Sequence, residues 1–203
     1  ISAGLTVIYG TLGVLNLAHG ALFMLGGYAG YVAYNATHSF TLAVAAGALF
    51  VLIVGLVMER VVIRHFYERP PEDQILVTFG IGVVLAELVR FGFGSLSKQV
   101  PVPPWGQGAT SFGFLIYPTY RIEVLGIIAV TLLLLYLVLF RTRLGLIVRA
   151  GIEDAGMVDI LGISVYKTFL IVFGIGAMAA GFAGIINAPI VALTPDMGDD
   201  ILV

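Results

Sequence analysis

The chain has 203 residues, of which 60% are hydrophobic and only 11% charged, with a net charge of −2 and no cysteine. So little charge excludes an ordinary water-soluble domain, and the slight negative balance offers nucleic acid no electrostatic footing. The missing thiols exclude disulfides, thiolate metal sites and cysteine nucleophiles.

Residues 1–58 contain no Asp, Glu, Lys or Arg, a run that only a lipid environment tolerates. Its opening part, 1–36, would be about 54 Å long as one helix, against a hydrocarbon core of about 30 Å. That is too long for one span and too short for two. Either 1–15 is the tail of a span, or a helix is broken at Asn16-Leu17-Ala18-His19-Gly20. A break in lipid frees backbone N–H and C=O groups, which must find partners or line a cavity. A helix starting at Ala21 would aim positive N-terminal amides at a solute carboxylate, with carbonyls of the preceding segment facing an ammonium group. The alternative is that Asn16 and His19 only satisfy the freed backbone. Tyr28, Tyr31 and Tyr34 recur every three residues, either as an interfacial aromatic belt or as packing aromatics. Gly26 and Gly30 form a small-residue pair.

Spans follow at 41–58 and 74–93, joined by a loop over 59–73 with Arg60, Arg64 and Arg69. Glu87 and Arg90 share one helix face and read as a mutually paired couple near the outer headgroups. The loop 95–121 holds the stiff Pro101-Val102-Pro103-Pro104-Trp105-Gly106 stretch. It either meets an extracytoplasmic partner or caps the bundle. A further span covers 122–140. The loop 141–167 adds Arg141, Arg143, Arg149 and Lys167. Seven of the ten basic residues thus lie in two loops, which the positive-inside tendency places in the cytoplasm.

Within 141–167, Glu153 and Asp154 fit the first turn of a short helix, where acids complement the macrodipole. Gly162 fits its stop, and Met157, Ile160 and Leu161 cluster on one face. Such a helix either docks into a partner's groove or lies on the bilayer. The last span, 168–188, carries a ladder Gly176, Ala180, Gly184 beside Ala177 and Gly181. Small residues at this spacing let helix backbones approach closely in lipid. The fold class expected is therefore all-α: a polytopic transmembrane bundle. No phosphate loop, H-E-x-x-H or G-x-S-x-G pattern occurs, and His19, His38 and His65 are scattered, so no enzyme constellation is present.

The run Gly4 to Gly26, with Tyr9-Gly10, Asn16, His19-Gly20 and Met24, resembles the signature of permease subunits of branched-chain amino acid ABC importers. Glu59-Arg60, Thr78-Phe79-Gly80-Ile81-Gly82, Leu144-Gly145 through Arg149-Ala150, Glu153-Asp154 and Leu161-Gly162-Ile163 extend the resemblance over essentially the whole chain. The family implies a bundle like the larger-bundle importer permeases, moving solute by alternating access. It implies a second permease subunit, two cytoplasmic ATPase subunits that use the ATP, a periplasmic or extracellular binding protein and surrounding membrane lipid, with no cofactor on this chain. It places the protein in a bacterial or archaeal cytoplasmic membrane. On this analogy Tyr9, Asn16, His19 and Gly20 belong to the translocation path. Arg149, Glu153, Asp154, Met157, Leu161 and Gly162 belong to the loop that seats in the ATPase.

Residues 1–203 then read as one partial permease domain lacking the start of the first helix and the last part of the family's length. Urea, short amides or other amino acids are alternative solutes within the pattern, and an ion-coupled secondary transporter is the rival class. Ala21 departs from relatives that carry an acid after the His-Gly pair.

Overall fold

The structure, a computed structural model, describes residues 16–67, 69–111 and 116–198. Its helices are α1 (His19–Thr37), α2 (Phe40–Val61), α3 (Pro71–Phe93), α4 (Thr119–Arg141), α5 (Arg143–Glu153), α6 (Ala155–Ile160) and α7 (Val165–Asn187). Among the described residues, α2, α3, α4 and α7 are long and apolar enough to cross a membrane. They match the four expected spans within a few residues.

Local chemistry sets the ends. The Ser39 hydroxyl accepts from Leu42 N–H and caps α2. Pro71 opens α3 at a position where its missing N–H costs nothing, with Glu72 and Asp73 following in the first turn. Gly94 leaves α3 with φ +75°, a left-handed turn that a side chain would strain.

The core lies where α1, α2 and α7 cross. Gly26 of α1 meets the backbone of Gly181 in α7, and a Cβ built on Gly47 of α2 would lie 2.6 Å from the Gly26 carbonyl. Gly184 sits directly on the Phe23 carbonyl, Ala177 faces Gly55 of α2, and Gly176 and Ala180 are buried alongside. The expected glycine ladder is thus the seam of a three-helix contact. By contrast α4 buries only Tyr120 and Val124, and α3 only Gln74, Thr78 and Val89. Their long apolar faces are left for lipid or for neighbouring subunits.

Tyr28 does not lie in an interfacial belt. It is buried, its ring 4.9 Å from that of Phe93, with its hydroxyl on the Leu193 carbonyl. Residues 95–111 and 116–118 cap the bundle. Trp105 packs against Phe40 and Tyr120 at 6.0 and 5.5 Å, and a Cβ on Gly106 would strike the Tyr120 ring. A short antiparallel hairpin that the sequence did not announce, β1 (Ala109–Ser111) with β2 (Ile116–Pro118), pairs Thr110 with Tyr117. Arg90 bonds both Glu87, as expected, and Asp196 beyond α7.

Candidate functional site

The polar interruption becomes a helix start inside the bundle. The Asn16 carbonyl accepts from His19 N–H at 3.2 Å, and its side-chain Oδ1 accepts from Ala18 N–H at 3.1 Å. This tight turn launches α1 at His19, two residues before the expected Ala21, because the Asn side chain closes the turn that would otherwise delay the helix. Leu17 N–H donates to Thr78 Oγ1 of α3 at 3.1 Å. Thr78 lies seven residues into α3, roughly 10 Å along its axis, and Gly82, which faces Ala18, roughly 16 Å. In a 23-residue helix, about 34 Å long at that rise, α1 therefore begins a third to half of the way across.

Asn16, His19 and Thr78 are fully buried. Among the described residues, Asn16 Nδ2 is buried without a hydrogen-bond acceptor. It stands beside the first turn of α1, whose amide end carries partial positive charge. The first turn is covered by the segment that follows α7. That segment pairs Leu193 with Lys98 through two backbone bonds of 2.8 and 2.9 Å. It brings Gly198 so close to Gly20 that a Cβ there would lie 2.8 Å from the Gly20 carbonyl carbon and 3.0 Å from Ala21 N. Irregular backbone at this depth is tolerated because protein encloses it. Tyr9, and the carbonyls expected to face an ammonium group, lie outside the described residues.

The second candidate region is the elbow between α4 and α7. Thr142 caps α5, its hydroxyl accepting from Gly145 N–H. Gly145 rests on the Leu139 carbonyl. Arg149 donates to that same carbonyl at 2.6 Å and stacks over Phe140 at 5.6 Å. Its charge thus meets the negative C-terminal end of α4. Glu153 is the last residue of α5, not the first turn of a helix as expected. The chain breaks at Asp154, whose carboxylate accepts from Met157 N–H at 2.9 Å and caps the separate α6. Asp wins the cap because its side chain satisfies a first-turn amide that Glu153 is too long to reach. Gly162, at φ +78°, ends the elbow. Met157, Ile160 and Leu161 stand exposed together, Ile160 at 82%.

Sequence reasoning passed over a third group. Glu59, near the C-terminal end of α2, is fully buried. It accepts from Tyr67 Oη at 2.9 Å and from Arg64 Nη2 at 3.3 Å. Burial, and then the neighbouring Glu59 charge, push the Tyr67 phenol well above its ordinary range, so it stays protonated as a donor. The available signal was a single acid closing an uncharged run, with an arginine five residues on.

Known proteins resemble this chain in sequence. The chain is 27% identical to the high-affinity branched-chain amino acid transport system permease protein BraD of Pseudomonas aeruginosa, over 92% of this chain and 64% of that protein. It is 28% identical to LivH of Escherichia coli K12 over the same shares. It is also 28% identical to a probable branched-chain amino acid transport permease protein LivH of Methanocaldococcus jannaschii, over 100% of this chain and 66% of that protein. The chain thus spans somewhat less than two thirds of the length of the first of these relatives. No solved structure matches it. The family described as the branched-chain amino acid transport system / permease component matches residues 1–202, and the chain, a multi-pass helical membrane protein, belongs to it.

Proposed function

We propose that this chain is the membrane-spanning part of an ATP-driven importer that moves amino acids, above all leucine, isoleucine and valine, by alternating access in a bacterial or archaeal cytoplasmic membrane. The observation that carries this reading is the polar helix start buried mid-bundle. Once the segment after α7 lifts from Gly20 during the cycle, the amide end of α1 and Asn16 Nδ2, which has no acceptor among the described residues, suit the carboxylate of a passing solute. Asn16, His19 and Gly20, with Tyr9 from the preceding segment, form part of the path. Residues 1–203 act as one permease domain. The chain itself performs no catalysis and holds no cofactor. ATP is used by two cytoplasmic ATPase subunits, and a second permease subunit and an external binding protein complete the assembly. The exposed Met157, Ile160 and Leu161 are the apolar anchor that enters an ATPase groove, with Arg149, Glu153, Asp154 and Gly162 shaping the elbow behind it.

The test uses the full-length permease reconstituted with its partner subunits. Leu161→Gly and Glu153→Lys are expected to lower uptake and binding-protein-stimulated ATP hydrolysis together, by about ten-fold or more for the anchor. If both activities survive unchanged, the elbow is not the coupling site.

A further inference from the structure

Taking a carboxylate out of water costs several kcal/mol unless close partners replace the lost hydration. Glu59 is therefore held in place by Arg64 and Tyr67, and Tyr67 in turn cannot swing away without stranding the carboxylate. The rest of the Tyr67 ring is committed to α7. It stacks on Tyr166 at 6.5 Å and meets Phe169 edge-on at 5.7 Å. Phe169 is also touched from the elbow. A Cβ on Gly151 of α5 would lie 3.6 Å from its Cε1 and 3.0 Å from Val165 Cγ1. Asp159 of α6 accepts from Val165 N–H at 3.3 Å, tying α6 to the first residue of α7. An unbroken contact chain thus runs from α5 and α6 through Phe169 and Tyr67 to Glu59 on α2. Beyond it, α2 and α7 grip α1 through Gly47, Gly181 and Gly26.

We propose that Tyr67 is a positioning residue of the transport cycle, carrying displacement of the α5–α6 elbow to α2 through its hydrogen bond to Glu59, so that α2 and α7 move together around the start of α1. The inference rests on the coupling role given to the elbow above. Ring packing transmits a push and tolerates sliding. A hydrogen bond to a buried carboxylate is directional and resists both, so the two links act in series: the ring contact with Phe169 passes the push to Tyr67, and the hydroxyl passes it on to Glu59.

The experiment reads uptake per ATP hydrolysed by the full-length permease, assembled with its ATPase and binding protein in liposomes. Tyr67→Phe keeps the ring contacts. It is expected to assemble with the wild-type amount of ATPase and to hydrolyse ATP, while uptake per ATP falls about five-fold, as for one lost hydrogen bond. A merely structural role would lower melting temperature and both activities in parallel, leaving the ratio constant, and that result overturns the proposal. Should Tyr67→Phe fail to assemble, Phe169→Leu replaces it. That variant fills the gap between Gly151 and Tyr67 without the ring contact, and an unchanged ratio there is equally fatal. If the wild-type permease recovers no ATPase, the coupling role itself falls, a failure distinct from a constant ratio.

Discussion

Thr78 shows how one hydroxyl carries a structural decision. Its Oγ1 donates within α3, to Gln74 O at 2.8 Å, and accepts from Leu17 N–H. Without it, the partly buried Leu17 amide just before α1 has lost its acceptor, which costs up to about 1–3 kcal/mol. Thr78→Val keeps the shape and removes the acceptor. It should lower the melting temperature of the detergent-solubilised protein, whereas Thr78→Ser should restore most of the loss. Equal stability of the two variants would mean that the α1 start is satisfied elsewhere. Asn16 has the same significance at shorter range, since its Oδ1 is committed to the Ala18 amide while Nδ2 has no acceptor among the described residues.

At the scale of elements, the three-helix core rests on the absence of side chains. Gly184 lies on the Phe23 carbonyl, so Gly184→Ala forces α1 and α7 apart. Overpacking of this kind costs about 1–3 kcal/mol, and more where backbone must move. Gly126 of α4 has nothing within 4 Å of a built Cβ, so Gly126→Ala should be neutral or stabilise by up to about 1 kcal/mol through helix propensity. Thermal unfolding of both variants separates a packing seam from general tolerance of glycine in membrane helices. Matching losses would refute the seam. The elbow is built on a different principle. Asp154 and Thr142 cap short helices, and Arg149 binds the exposed end of α4, so polar local contacts set its turns while Val148 and Gly151 pack it on α7.

For the whole molecule, the decisive quantity is orientation. The positive-inside tendency of the basic loops predicts the elbow inside, and the Trp105 cap and hairpin outside. Because the chain has no cysteine, single replacements report without background. Ser97→Cys should react with a membrane-impermeant maleimide in intact cells. Glu153→Cys should react only after permeabilisation. The reverse pattern would place the exposed Met157–Ile160–Leu161 anchor away from any cytoplasmic engine.

The four spans of the described residues, their limits and the close-packed small residues of α7 were legible because they depend on local composition and on helical period. So were the polar interruption and the Gly162 stop. The two-residue misplacement of the α1 start, and the wrong turn assigned to Glu153, arose where an Asn or Asp side chain chose between neighbouring backbone amides. Such a choice depends on geometry that spacing does not encode. Only the tertiary structure decided the rest: the Thr78 acceptor 61 residues from Leu17, the descent of Gly198 onto Gly20, the inward turn of Tyr28, and the Glu59–Tyr67–Phe169 chain. Each joins residues far apart in sequence, and the free energy of burying or pairing them exists only once the helices have met.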